Sequence, residues 1–215
     1  MADPRQIVAR GYNRIAERYA AWAGESWAGG RARFGALLLE RLPPGAAILD
    51  LGCGTGVPVA RELANCFAVT GVDISARSIA LARRNVPGAT FLHADMAALD
   101  VPAGIFDAVV AFYSIIHLPR EEHPALLRAI AGWLRPGGLF VAALGANESD
   151  DWLEPDWLGA PMYWSHFDGA TTLRLIEAAG LRPLLAEALA EDEDGTPATF
   201  LWVAAEKPLG VGPHG

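Results

Sequence analysis

The chain has 215 residues, 52% of them hydrophobic and 20% charged, with a formal net charge of -8 and a pI near 5.1. That length holds one domain with a continuous core, and the composition excludes a disordered or fibrous chain. The acidic balance argues against a nucleic-acid partner, because affinity for phosphate backbones comes from Lys and Arg.

The two cysteines, Cys53 and Cys66, form no CxxC pair, so neither a disulfide framework nor a zinc site is implied, and reduced cytosolic thiols are expected. The opening MADPRQIVARGYNR has no apolar h-region, and no run of about 20 apolar residues occurs. A cytoplasmic protein, neither exported nor membrane-spanning, is the expectation.

In chain order, Ile7, Val8, Tyr12, Ile15, Ala16 and Tyr19 recur at helical spacing and predict an amphipathic helix from Arg5 to about Trp22, broken by the 24–30 stretch. A second helix, about Ala32 to Leu42, ends at Pro43, Pro44 and Gly45. Then strands and helices alternate: a strand at 46–51, a helix from Val57 to Asn65, a strand at 67–73, a helix from Ala76 to Asn85, and strands at Thr90 to His93 and Phe106 to Phe112. A helix from Pro124 to Leu134 and a strand from Leu139 to Leu144 follow. This alternation specifies a parallel sheet covered on both faces. Residues 146–168, rich in Trp, Pro and acidic side chains, show little periodicity and read as an insertion or lid. A helix from Thr171 to Ala179 and strands near Leu184 to Leu189 and Ala198 to Ala205 close the pattern, with a turn at 195–197 and a disordered tail.

The segment Asp50-Leu51-Gly52-Cys53-Gly54-Thr55-Gly56 joins a strand to a helix, the place where an open α/β sheet receives its ligand. Glycines at 52, 54 and 56 allow a tight turn and close approach of a ligand, and Asp50 can orient the loop or accept from a ligand ammonium. Asp73, 17 residues after Gly56 at the end of the second strand, suits two ribose hydroxyls. Alternatively, it serves as a turn or cap residue before the next helix.

Five ordered motifs, ILDLGCGTG (48–56), VTGVDIS (69–75), HADM (93–96), FDAVVAFYSIIHL (106–118) and LRPGG (134–138), resemble those of the class I SAM-dependent methyltransferases. The resemblance implies a doubly wound α/β fold with a seven-stranded, mostly parallel, Rossmann-like sheet, its last strand antiparallel. It divides a single domain, 1–208, into an N-terminal helical lid (1–44), a cofactor-binding core (45–145), a substrate-side insertion (146–168) and a sheet completion (169–208), before a tail at 209–215. By the same resemblance Asp50, Gly52, Gly54 and Gly56 lie along S-adenosylmethionine and Asp73 holds its ribose. Ile74, Asp95 and Met96 then flank the adenine, and Phe112 ends the fourth strand beside it.

Methyl transfer from a sulfonium needs alignment and dryness more than a metal or covalent nucleophile. His117 and His166 are the candidate bases, since histidine titrates near neutrality. Tyr12 and Tyr19 from the first helix are expected to cover the cofactor, and Tyr113, Trp152, Tyr163 and Trp164 to contact the substrate, with Trp157 adding aromatic surface to the lid. His93 reads as a satisfied strand residue and 191–194 as a solvated turn. An Asn/Asp-Pro-Pro-Tyr element and a Pro-Cys nucleophile are both missing, so nucleic-acid bases are not the expected acceptor. A small organic molecule is, methylated at oxygen or nitrogen, in the manner of bacterial enzymes that tailor natural products. An NAD-dependent oxidoreductase and a non-catalytic SAM-binding sensor are the alternatives.

Overall fold

The computed structural model describes residues 3–24, 26–193 and 196–210, apart from the side chains of 192, 193 and 196. The part of the expected tail at 211–215, and residues 194 and 195 of the expected acidic run and turn, lie outside the described residues.

Helix α1 spans Pro4–Ala23; Asp3 caps it by accepting from the Arg5 backbone N–H at 3.1 Å, and Pro4 enters at a position where no N–H is needed. Helix α2, Gly29–Arg41, leads to strand β1, Ala47–Leu51. Helix α3 is only Val59–Leu63, shorter than the expected 57–65. Pro58 explains its late start, since the residue before a proline is pushed out of the helical region. Strand β2 (Ala68–Asp73), helix α4 (Ala76–Asn85), β3 (Thr90–His93), β4 (Phe106–Phe112), helix α5 (His123–Trp133) and β5 (Leu134–Gly145) complete the alternation.

The 146–168 insertion is not aperiodic coil. It forms a hairpin, β6 (Ser149–Trp157) and β7 (Ala160–His166), a separate two-stranded sheet. Its strand pattern was hidden because β6 is mostly exposed and its pairing is twice irregular, so no clean alternation of period two survives. Helix α6 (Gly169–Ala178) and strands β8 (Arg182–Glu193) and β9 (Thr196–Glu206) follow, both strands longer than expected.

The main sheet has seven strands in the order β3-β2-β1-β4-β5-β9-β8. Strands β1 to β5 pair in parallel, while β9 is antiparallel to both β5 and β8, as expected for this topology. Along β4, Val109 and Ala111 join the core formed with Leu126, Leu127 and Ile130 of α5 and Ile176 of α6. Their neighbours Ala108, Val110 and Phe112 join the opposite core with α2, α3 and α4. Successive residues of a strand face opposite ways, so a strand buried on both faces must be apolar throughout, as β4 nearly is.

Helix α1 belongs to neither layer. Val8 and Ile15 pack with Ala160, Met162 and Tyr163 of the hairpin in a third cluster. A Cβ on Gly11 would stand 2.8 Å from both Met162 Cε and the Pro161 carbonyl, so only glycine permits this approach. Helix and hairpin together roof the carboxyl ends of β1 and β4, where the strand order reverses and open α/β sheets bind ligands.

Candidate active site

The loop after β1 is tied to the end of β2. Asp73 Oδ2 accepts from Gly54 N at 2.9 Å and Oδ1 from Ser75 N at 2.8 Å, leaving about two of its roughly four lone-pair sites. Burial raises the Asp73 carboxyl despite these two bonds. Gly52 has φ +73, and a Cβ there would stand 2.2 Å from Ser114 Cβ; Gly54, at φ +54, has nothing within 4 Å of the same point. One glycine is required by packing, and the other leaves room beside a cavity. Asp50 is buried, its Oδ2 has no hydrogen-bond partner, and burial together with the charge of Asp73 pushes it up to about 7.

A first cavity runs along this loop. Gly52, Gly54, Asp73 and Ile74 line one side, and Asp95, Met96 and Phe112 another. Asp50 and Gly56 do not line it: Asp50 is only 2% exposed, and Gly56 turns to Val86 and Phe91, where a Cβ would stand 3.2 and 3.3 Å from their side chains. Gly56, expected along a ligand, has φ +77 and packs the loop against α4 and β3. The roof is α1, which contributes Tyr12 and Tyr19 and, unanticipated, Arg5 and Val8. Arg5, Val8, Tyr12 and Tyr19 follow helical spacing, so the signal was present. Arg5 Nε lies 2.6 Å from Asp95, and its guanidinium also pairs with Glu122. With α1 seated, the cavity encloses about 70 Å³. The spare Asp73 lone pairs and the open face of Gly54 fit an adenosine-bearing ligand.

A second cavity of about 470 Å³ adjoins the first, and Tyr12, Tyr19, Tyr113 and His117 line both. Trp22, Trp152, Trp157 and Trp164 extend its wall. Trp152, 53% exposed, stacks on Trp164 with centroids 5.0 Å apart. His166 lines this cavity too; burial lowers it, and its buried Nδ1 has no partner.

His117, on the turn after β4, is buried with both ring nitrogens engaged. Nδ1 lies 2.7 Å from the Tyr163 carbonyl, an acceptor, so Nδ1 carries the proton. Nε2, 2.9 Å from Tyr12 Oη, must then accept from the phenol. Burial pushes His117 down to about 4. Tyr163 was expected to contact substrate, but it lines neither cavity: it is 4% exposed, its hydroxyl bonds Asp151, and its carbonyl fixes the His117 tautomer.

Tyr113 follows β4 at φ +59, a costly conformation for a bulky side chain. Its N–H donates to Ala143 O at 3.0 Å and its hydroxyl to Glu191 at 2.7 Å, which hold it there. Glu191 also accepts from Trp202 Nε1 at 3.0 Å. The expected solvated turn at 191–194 thus begins with a residue that lines the second cavity, Glu191 on β8. His93 is satisfied as expected, its Nε2 3.0 Å from the Ile74 carbonyl.

The fold is a Rossmann-like α/β fold of the kind found in methyltransferases. Residues 48–138 match the family model described as a methyltransferase domain, and the chain is similar in sequence and in fold to SAM-dependent methyltransferases. It is 29% identical over 150 residues to an uncharacterized methyltransferase of Synechocystis, covering 69% of each chain. Several other curated relatives are matched over less than half their length. Among solved structures, the 1,6-didemethyltoxoflavin-N1-methyltransferase of Burkholderia thailandensis, crystallised with its substrate and S-adenosylhomocysteine, superposes with TM-score 0.72 at 21% identity over 97% of this chain and 92% of its own. The cyclase SpnF superposes with TM-score 0.75 at 21% identity over 96% and 97%. At such identities these two share the fold. No described helix is long and apolar enough to cross a membrane.

Proposed function

We propose that the chain transfers a methyl group from S-adenosylmethionine to an oxygen or nitrogen of a small organic acceptor. The observation that carries this reading is the junction of two cavities at Tyr12, Tyr19, Tyr113 and His117, one beside the glycine loop and Asp73, the other walled by aromatic rings. In the first, Asp73 would receive the ribose hydroxyls and Ile74, Asp95, Met96 and Phe112 would flank the adenine, while Asp50, buried and outside the lining, would orient the glycine loop. Bound there, S-adenosylmethionine supplies an already activated methyl group on a sulfonium. The protein's part is to align the acceptor in line with that methyl and to exclude water, which the tryptophan-rich wall does.

His117 suits a hydroxyl acceptor better than an alkylamine. An amine near pH 7 is protonated, with an unperturbed value of about 10.4 for an alkylamine, and a base held near 4 cannot take that proton. A hydroxyl oxygen, once methylated, sheds its proton far more readily, so a weak base suffices. The proton passes to Tyr12 Oη as the phenol proton moves to His117 Nε2, and the Tyr163 carbonyl stabilises the resulting imidazolium. His117 is thus the terminal acceptor of a two-residue relay, with Tyr12 facing the acceptor. His166 holds or orients the acceptor from the far wall, alongside Trp152 and Trp164.

Mass spectrometry after incubation with methyl-labelled S-adenosylmethionine and a panel of phenols, carboxylates, amines, heterocycles and thiols tests this reading, with a labelled phenol ether as the expected product. The likeness to a cyclase favours one second reading, a cofactor-binding fold without methyl transfer. Tight S-adenosylhomocysteine binding with no labelled product from any acceptor would select it.

A further inference from the structure

The second cavity holds one charged group that the chemistry above leaves unused. Arg31, on the first turn of α2, is half-buried and lines the second cavity but not the first. Its place is fixed from below: a Cβ on neighbouring Gly30 would stand 2.2 Å from the Trp202 ring, so the start of α2 rests directly on that indole. The Arg31 guanidinium lies over the Tyr113 ring, 4.8 Å from its centroid. This stacking occupies a face of the planar group and leaves the N–H donors at its edge.

Arg5, Arg33, Arg77, Arg120, Arg135 and Arg182 each have a carboxylate partner. Arg31 has none among the described residues. Glu191, the other charged side chain on this wall, is committed to the Tyr113 hydroxyl and the Trp202 indole, and the two histidines of the cavity are held toward their neutral forms by burial. A half-buried guanidinium with free donors in a ligand-sized cavity is built to receive an anion, most favourably a carboxylate matched to its fork.

We propose that Arg31 binds a carboxylate of the acceptor, and that the acceptor is an aromatic hydroxy acid lying between Arg31 and the Tyr12–His117 pair. The aromatic part follows from the wall: Trp22, Trp157 and Trp164 form a chain with centroids 5.8 and 5.3 Å apart, a surface that suits a flat ring. The volume of about 470 Å³ admits a molecule of one to three rings. The carboxylate is the anchor and not the methylated group, because Arg31 does not reach the cavity that Tyr12 and His117 share with the glycine loop. The position of the hydroxyl rests on the methyl-transfer reading above; the anion site rests on the cavity alone.

The test is calorimetric titration of the S-adenosylhomocysteine complex with hydroxyaryl carboxylic acids of one, two and three rings, each paired with its carboxamide. Acids should bind about ten- to a hundredfold more tightly than their amides. Arg31→Gln should erase that preference while leaving amide and S-adenosylhomocysteine affinities unchanged, and Arg31→Lys should keep part of it. Equal binding of every acid and amide pair, binding of no acid, or an acid preference that survives Arg31→Gln overturns the proposal. Labelled methyl reaching only neutral phenols would leave the methyltransferase reading standing and remove the anion site. Arg31-dependent acid binding with no transfer to any acceptor would do the reverse.

Discussion

Asp73 is where loop geometry and cofactor affinity separate most cleanly. Replacing it with alanine deprives Gly54 N and Ser75 N of their acceptors, and each buried N–H left unpaired costs about 1–3 kcal/mol. The penalty that raises the Asp73 carboxyl is relieved at the same time, since a buried carboxylate disappears. The net loss of stability is about 1–3 kcal/mol, a fall in Tm of roughly 3–10 °C for a domain of this size. Two ribose hydroxyls also lose a charged acceptor, worth about 1.5–3 kcal/mol, or about ten- to 150-fold in affinity. Asp73→Asn keeps one acceptor oxygen and should fall between wild type and Asp73→Ala in both respects. Calorimetric titration with S-adenosylhomocysteine, beside thermal melts of the three proteins, separates the effects. A lowered Tm with unchanged affinity would refute the ribose assignment and leave Asp73 as a fastener of the loop.

The two loop glycines should fail differently. Gly52→Ala drives a Cβ into Ser114 and should lower stability by about 1–3 kcal/mol, seen in urea unfolding, whereas Gly54→Ala meets no atom and should cost about 1 kcal/mol in backbone strain while weakening S-adenosylhomocysteine binding. Equal effects on folding would contradict the packing described. Tyr12→Phe removes the donor to His117 Nε2; single-turnover rates on a phenolic acceptor should drop about a hundredfold or more with cofactor affinity preserved, and an unchanged rate would eliminate the relay. His117 also ties stability to pH. Its folded value of about 4 lies below the unfolded value of about 6.5, so the unfolded chain binds the extra proton between them, and the contribution of His117, up to about 3 kcal/mol, is lost as pH falls from 6.5 toward 4. The advantage of wild type over His117→Gln in urea melts should therefore shrink between pH 7 and pH 4.5; a constant gap would mean His117 is not held neutral.

Much of the frame was legible because its signals are local. Doubly buried strands such as β4 read as apolar runs, and the Asp50–Gly56 loop sits between a strand and a helix wherever the other strands pair. The roof was half legible: the spacing of Tyr12 and Tyr19 announced a face, but what that face covers depends on a hairpin about 140 residues away whose own pattern is obscured by exposure. Arg31 and Glu191 gave no local signal. They face one cavity because Gly30 rests on Trp202 and Trp202 bonds Glu191, a chain of contacts joining α2, β9 and β8 that no short window contains. His117 lines both cavities, but its engaged nitrogens and tautomer are set by Tyr12 and Tyr163, distant in sequence.

Helix α1 is a shared roof, with Tyr12 and Tyr19 in both compartments, Trp22 in one, and Arg5 latched to Asp95. The roughly 70 Å³ left beneath it is far less than the 300–1,000 Å³ of ordinary ligand sites. A displacement of the helix would enlarge that space and would also strip the neighbouring compartment of Tyr12, Tyr19 and Trp22. The donor's berth and the acceptor's berth thus share one roof, and any motion of that helix would open both.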